Sequence, residues 1–354
     1  MLTDQAAPIR DGEHLDAAII DRYLKELMPE LQGTLRISQF PGGASNLTYL
    51  LEYPGRELVL RRPPFGRKAR SAHDMGREFR ILNQLNAGFP YCPKAYVHCT
   101  DESLIGTEFY VMERVQGIIL RTNLPAELNF DVAQTRALCK SFIDKLVELH
   151  QVDYQACGLA DLGRPEGYVQ RQIEGWCARY EHALTPDAPS WEPVKAWLRE
   201  KMPTDHGKPG IVHNDYRFDN LILDPANPMQ IIGVLDWELA TIGDPLMDLG
   251  NTLAYWIQAD DPASVQHLRR QPSNAPGMLT RRECVDYYAE RAGIEIDNFD
   301  FYYCYGLFRL AGIVQQIYYR YYHGQTSDKR FASFVQMNGI LERMALQVIE
   351  HSPL

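Results

Sequence analysis

The segment His213-Asn214-Asp215-Tyr216-Arg217-Phe218-Asp219-Asn220, followed by Leu221-Ile222-Leu223 and then by Ile231-Ile232-Gly233-Val234-Leu235-Asp236, constrains this chain more than any other feature. Short apolar, β-branched runs bounded by turn residues read as buried strands. Asn220 therefore stands just before one strand and Asp236 just after the next. An aspartate that orients and deprotonates a hydroxyl, an asparagine five residues later and a second aspartate able to hold magnesium are the equipment of phosphoryl transfer to an alcohol. A lone Asp or Asn also caps turns. The strand directly after Asn220, the strand directly before Asp236 and the run Gly243-Asp244-Pro245 leading to Asp248 favour the phosphoryl-transfer reading.

This order is similar to the H-R-D-x-x-x-x-N loop and D-F-G aspartate of protein kinases, with H-x-D in place of H-R-D. On those residues the chain resembles the aminoglycoside phosphotransferase and choline kinase superfamily. The stretch Gly163-Arg164-Pro165-Glu166-Gly167-Tyr168-Val169-Gln170-Arg171-Gln172-Ile173, with Trp176 after it, narrows the resemblance to the branch represented by the kinase-like domain of acyl-CoA dehydrogenase fusion proteins. The likeness covers nearly the whole chain. It implies an α+β, bilobal protein-kinase-like fold, with an antiparallel β small lobe over residues 1–115 that binds nucleotide. A mostly α-helical large lobe over 116–354 would carry the catalytic and acceptor sites. It also implies ATP or GTP with Mg2+ and, for that branch, phosphorylation of the hydroxyl of a hydroxyacyl-CoA or related hydroxy acid. Aminoglycoside phosphorylation is the alternative acceptor. A nucleotide-binding pseudokinase is the alternative of another class, and the intact Asp215, Asn220 and Asp236 argue against it.

The remaining motifs fall in matching order. Residues from Leu35 to Leu60 alternate apolar and polar around two turns, as an antiparallel sheet over a core does. Within them Gly42 and Gly43, with Ser45 and Asn46, occupy the place of a glycine-rich phosphate loop, although a plain hairpin turn has the same composition. Arg61 stands where kinases place the strand lysine. A guanidinium still reaches phosphate, but with a planar fork in place of a point charge. Arg62 is the alternate, since neighbouring strand residues face opposite sides, and whichever of the two turns away is a solvated edge charge. Glu78 lies on a predicted helix with the stripe Met75, Phe79, Leu82 and Leu85 and matches the glutamate that holds the strand cation. The resemblance makes Glu113, Arg114 and Val115 the hinge that meets the adenine edge.

Asp215 is thus the candidate base, and Asn220 and Asp236 are the candidate metal ligands. His213 and Asp248 read as braces of the loop. His150, at the end of an amphipathic helix from Asp131, reads as a packing residue. Arg164, Tyr168, Arg171 and Trp176, with Arg309 and Arg320 on an aromatic helix from Tyr302 to His323, are the candidate acceptor contacts. A core helix with an ionic network is the competing account of that last face. The window Arg61 to Arg70 holds five basic residues, the local charge that a polyanionic CoA ester requires.

Composition sets outer bounds. With 354 residues, 45% hydrophobic and 23% charged, the chain buries a full core. A net charge of −10 disfavours a nucleic-acid partner. The apolar runs fall far short of a membrane span, and the polar, acidic residues from Met1 to His14 do not read as a secretory signal, so a cytoplasmic location is expected. Seven scattered cysteines with no C-x-x-C pair point to neither zinc nor disulfides.

Overall fold

The computed structural model describes residues 4–41, 46–65, 74–203 and 207–353. It divides into two compact units, the first Met1–Ile119 with Tyr154–Leu159 and Leu221–Glu238, the second Leu120–Asp153 with Ala160–Asn220 and Leu239–Leu354.

The first unit opens with α1 (Ala17–Leu27), started by Asp16, whose carboxylate accepts hydrogen bonds from the amides of Ala18 and Ile19. The alternating stretch then folds as β1 (Arg36–Gln39), β2 (Leu47–Tyr53) and β3 (Arg56–Arg62). After α2 (Met75–Leu85) come β4 (Ala95–Cys99) and β5 (Phe109–Glu113), completing an antiparallel sheet in the order β1-β2-β3-β5-β4. One sheet face packs Tyr49, Leu51, Leu58 and Val111 against Ile20 and Leu24 of α1. The buried stripe of α2 differs from the expected one: Glu78 and Ile81 point inward, while Phe79 is half-exposed and stacks on His98 with ring centroids 5.4 Å apart.

The first unit also takes segments that lie beyond the residue 115 boundary read from the sequence. Strands Leu221–Leu223 and Ile231–Val234 form an antiparallel pair. The Ile118 amide donates to the Leu223 carbonyl at 2.9 Å, and the Val234 amide donates to the Tyr91 carbonyl at 2.7 Å. Arg80 donates to the Gly158 carbonyl at 3.1 Å. These bonds fasten late sequence to early sequence and carry Asp236 into the unit that holds Arg61.

In the second unit α3 (Val132–His150) begins with a capping box between Asp131 and Gln134. Then follow α4 (Tyr168–His182), α5 (Glu192–Glu200), α6 (Pro245–Ala254, capped by Asp244), α7 (Ala263–Gln266), α8 (Arg281–Ala292), α9 (Phe299–Tyr322) and α10 (Phe334–His351). A two-stranded antiparallel pair, Gly210–Val212 with Thr241–Gly243, brackets the motif loop. Among the described residues no helix is long and apolar enough to cross a membrane.

Helices α6 and α9 cross at backbone contact. A Cβ added to Gly306 would stand 2.2 Å from the Gly250 carbonyl oxygen, and one added to Gly250 would stand 2.2 Å from the Tyr302 carbonyl oxygen. The crossing matters because α6 carries Asp248 and α9 carries Arg309. In an exposed helix Gly→Ala gains about 1 kcal/mol, but here the contact is backbone on backbone and cannot rotate away. Gly306→Ala is therefore expected to destabilise the protein by about 1–3 kcal/mol in urea unfolding. Neutral or increased stability would show that the helices separate freely.

Candidate functional site

In the first unit, Arg61 at the end of β3 is 8% exposed and faces three carboxylates. Its Nη1 donates to Glu78, its Nη2 donates to Asp236 at 3.1 Å, and Glu238 lies 3.9 Å from Nη2. Its Nε–H has no acceptor among the described residues. Burial opposes the charge of Arg61, but Glu78, Asp236 and Glu238 hold the guanidinium ionised well above its ordinary range. Burial also lifts the Glu78 carboxyl, against the pull of Arg61. Arg62 faces the other way, donating to the carbonyls of Pro63 at 3.1 Å and Ile105 at 3.2 Å and stacking on Phe65. The geometry therefore separates the two candidates, and the expectation that the second arginine is a solvated edge charge gives way, because Arg62 is only 3% exposed.

Asp236 adopts a left-handed backbone conformation, φ +67°, which a non-glycine residue holds at a cost and which concentrates at functional loops. Asn46 is buried and donates from its amide to Glu238 at 2.9 Å, so that group serves a carboxylate. Gly42, Gly43 and Ser45 lie outside the described residues, as do Arg67, Lys68 and Arg70. With Arg61 and Arg62 both buried, the five-residue basic cluster is not a single exposed patch. At the expected hinge, Glu113 accepts from the Lys94 amide at 3.1 Å, Arg114 donates to the Asp4 carbonyl at 2.6 Å, and Val115 packs beside Gly233.

In the second unit the motif loop is held by its backbone. The fully buried Asp248 carboxylate accepts from the amides of His213 and Asn214, each at 2.7 Å, and from His150 Nε2 at 3.1 Å. An ionised carboxylate only accepts, so His150 donates from Nε2, while its Nδ1 lies 2.7 Å from the Tyr288 hydroxyl. His213 is fully buried, and its Nδ1 accepts from the Asp215 amide at 3.2 Å. Asn214, at φ +64°, donates to the Leu239 carbonyl and accepts from Asn251 and, at its own carbonyl, from Arg309. Tyr216 and Phe218 anchor the loop from below by packing on Phe142 of α3, with ring centroids 4.7 and 4.5 Å away.

This leaves the Asp215 side chain gripped at both oxygens. Asn220 Nδ2 donates to Asp215 Oδ2 at 3.0 Å and to its carbonyl at 2.8 Å, and Arg217 Nε lies 3.1 Å from Oδ1. Burial works against the charge of Arg217, but Asp215 and Asp219 keep its guanidinium ionised. Sequence reasoning missed Arg217, although its place two residues after the aspartate was visible.

Residues 36–284 match the model of the phosphotransferase enzyme family. The chain belongs to that family. The mouse protein named acyl-CoA dehydrogenase family member 10 is 36% identical over 342 residues, spanning 96% of this chain and 31% of the relative. The human protein named family member 11 is 34% identical, spanning 92% of this chain and 42% of the relative. This phosphotransferase-family chain spans 31–44% of the length of the curated relatives it matches. Among solved structures, a Ralstonia eutropha protein provisionally described as an aminoglycoside phosphotransferase is 30% identical, with TM-score 0.82 and coverage of 96% of this chain and 100% of its own. Cryptosporidium parvum choline kinase shares the fold at 12% identity and TM-score 0.64, covering 95% and 96%. The GDP complex of an aminoglycoside 2′-phosphotransferase shares it at 15% identity and TM-score 0.57, covering 93% and 98%. The α+β architecture, an antiparallel sheet unit and a helical unit, is thus that of kinase-like phosphotransferases.

The candidate acceptor residues separate. Tyr168 is buried beside Asn214, where burial raises its hydroxyl, and its ring fills the space that a Gly243 side chain would take. Arg171 turns back onto the carbonyls of Arg164 and Glu166 and stabilises its own loop, and Arg164 is exposed. Trp176 and Arg309 meet, with the guanidinium 5.4 Å from the ring centroid. Arg320 is exposed on α9, roughly 16 Å along the axis from Arg309, so the two do not share a site.

Burial works to raise Asp248, but the hydrogen bonds it accepts from His150 and from the His213 amide hold it below the ordinary carboxylate value. A depressed acid stabilises the fold fully above its ordinary value, about 3.9, and loses that contribution as pH falls through the lower folded value. Urea unfolding of wild type and Asp248→Asn is expected to differ by about 2–3 kcal/mol at neutral pH, with the gap closing below about pH 4. A gap independent of pH would exclude the carboxylate charge as its source.

Proposed function

We propose that this chain transfers the γ-phosphoryl group of ATP or GTP, with magnesium, to the hydroxyl of a small molecule, a hydroxyacyl-CoA or related hydroxy acid. The observation that carries the reading is the Asp215 carboxylate, held by Asn220 and Arg217 on a loop whose backbone Asp248 fastens. Family membership and the fold of nucleotide-complexed neighbours support it.

Asp215 accepts the proton of the acceptor hydroxyl as that oxygen attacks phosphorus. The new O–P bond forms while the bond to the β,γ-bridging oxygen breaks, leaving a nucleoside diphosphate. Arg217 beside Asp215 favours its ionised form, which a base requires. Such base assistance is worth on the order of 10² to 10⁴ in rate. Bound magnesium would neutralise phosphate charge. The oxygens of Asp236 and Asn220 are hard donors suited to it, and the excess of carboxylate over guanidinium around Arg61 suits a divalent cation. Among the described residues no three His, Cys, Asp or Glu side chains form a cage by themselves, as fits an ion completed by water and phosphate oxygens. The Arg61 Nε–H, without an acceptor among the described residues, is a buried donor suited to a phosphate oxygen. For the glycine-rich segment Gly42, Gly43 and Ser45, and for Glu113, Arg114 and Val115 as the adenine hinge, the resemblance is the support.

Asp215→Asn is expected to lower turnover by roughly 10² or more while nucleotide affinity, measured by calorimetry, stays nearly constant. Wild-type turnover in that variant would assign the base elsewhere. A screen of ATP consumption with hydroxyacyl-CoAs, free hydroxy acids, choline and aminoglycosides, with product mass determined, tests the acceptor. Turnover with an aminoglycoside alone would replace the thioester.

A further inference from the structure

Two guanidinium groups share one indole in the second unit. Arg179 of α4 lies 4.1 Å from the ring centroid of Trp176, and Arg309 of α9 lies 5.4 Å from it. Arg309 is 4% exposed, and its hydrogen bond is the one it donates to the Asn214 carbonyl at 2.7 Å. Among the described residues no carboxylate stands within ion-pair distance of either arginine. This is an expensive arrangement. A buried cation without a counter-charge carries a desolvation cost that an aromatic face offsets only in part, and here two like charges crowd together. Burial, with repulsion from Arg309, lowers the affinity of Arg179 for its proton.

Arg61 has Glu78 and Asp236, Arg217 has Asp215, and Arg281 has Asp261, whereas the buried Arg62 donates to carbonyls and stacks on Phe65. The pair around Trp176 also has no acid among the described residues, and Arg309 meets the motif loop. Arg309 binds the carbonyl of the residue that precedes Asp215, and the Tyr255 hydroxyl feels the charges of both Asp215 and Arg309. Tyr305 feels Arg309 and Arg179 together.

We infer that Arg179, Trp176 and Arg309 form an anion-binding subsite for the acceptor, so that the hydroxyl acceptor carries a carboxylate or phosphate group docked there. This rests on the reading of Asp215 as the base for that hydroxyl. The guanidiniums supply paired N–H donors, the indole fixes their planes, and a cationic acceptor is repelled at the same place. A carboxylate of a free acid and a phosphate of a CoA ester satisfy the same donors.

Calorimetry with 3-hydroxybutyrate, its neutral amide 3-hydroxybutyramide, 3-hydroxybutyryl-CoA and kanamycin tests the subsite on wild type, Arg179→Gln and Arg309→Lys. Because Arg179 is exposed at its outer edge, Arg179→Gln is expected to keep the wild-type melting temperature. It should weaken the anionic probes about tenfold or more and leave the amide unchanged. Loss confined to the CoA ester assigns the anion to phosphate, and loss of the free acid as well assigns it to carboxylate. Arg309→Lys, which keeps charge but not the fork, should weaken the anions less than Arg179→Gln. Steady-state kinetics should place the effect of Arg179→Gln in KM more than in kcat.

The subsite is overturned if neither anion binds wild type, if Arg179→Gln binds acid and amide as wild type does, or if kanamycin binds more tightly than both anions. Arg179-dependent anion binding with no phosphate transferred from Mg-ATP would keep the subsite and remove the phosphotransferase reading. Equal transfer to acid and amide would do the reverse.

Discussion

The helical unit depends on one buried charge. Asp248 projects from α6 into the interior and there receives two consecutive backbone amides of the motif loop and the His150 imidazole. Burying a carboxylate is costly unless several donors meet it. Those donors come from a loop, a helix end and, through Tyr288, a further helix, so folding must bring them together for the charge to be tolerated. The geometry of Asp215 is a consequence. The loop backbone is clamped on either side of the residue before it, including a left-handed turn at Asn214, and the Asp215 side chain is left to be aimed by Asn220 and Arg217.

The sheet unit has a charged centre of opposite character. There a guanidinium is the buried ion and carboxylates converge on it. Such a network contributes more to geometry than to stability, since desolvation consumes most of the Coulomb energy. Arginine in place of lysine lets one side chain bridge Glu78 and Asp236 through separate nitrogens, which a single ammonium does with less directional control.

Helix α9 shows how a polar helix face acquires meaning from its surroundings. Along α9 the arginines at 309 and 320 look alike in sequence, yet one is buried beside Trp176 and the other faces outward. The close crossing of Gly250 and Gly306 sets the approach of α9 to α6, and with it the height at which Arg309 meets the loop carbonyl. Charge density along the chain, by contrast, says nothing of burial at residues 61 to 70, where Arg61 and Arg62 are buried.

The sequence by itself determined the class of fold, the antiparallel sheet from alternation between Leu35 and Leu60, and the loop bearing Asp215 and Asn220 with Asp236 after its strand. The class of fold rests on motif order and the family resemblance, and the sheet and loop rest on local periodicity and short spacings, which neighbours in the chain enforce. It also pointed to Glu78 as the partner of a strand arginine, because motif order in this resemblance is tight. Only tertiary structure decided that Arg61 rather than Arg62 meets the carboxylates, that Asp236 belongs with the first unit, that Arg217 grips Asp215 and that Arg179 joins Arg309 around Trp176. Those pairings join residues up to 175 apart in the chain. Which face a strand residue presents, and whether a cation is buried or solvated, depends on packing that no local pattern encodes.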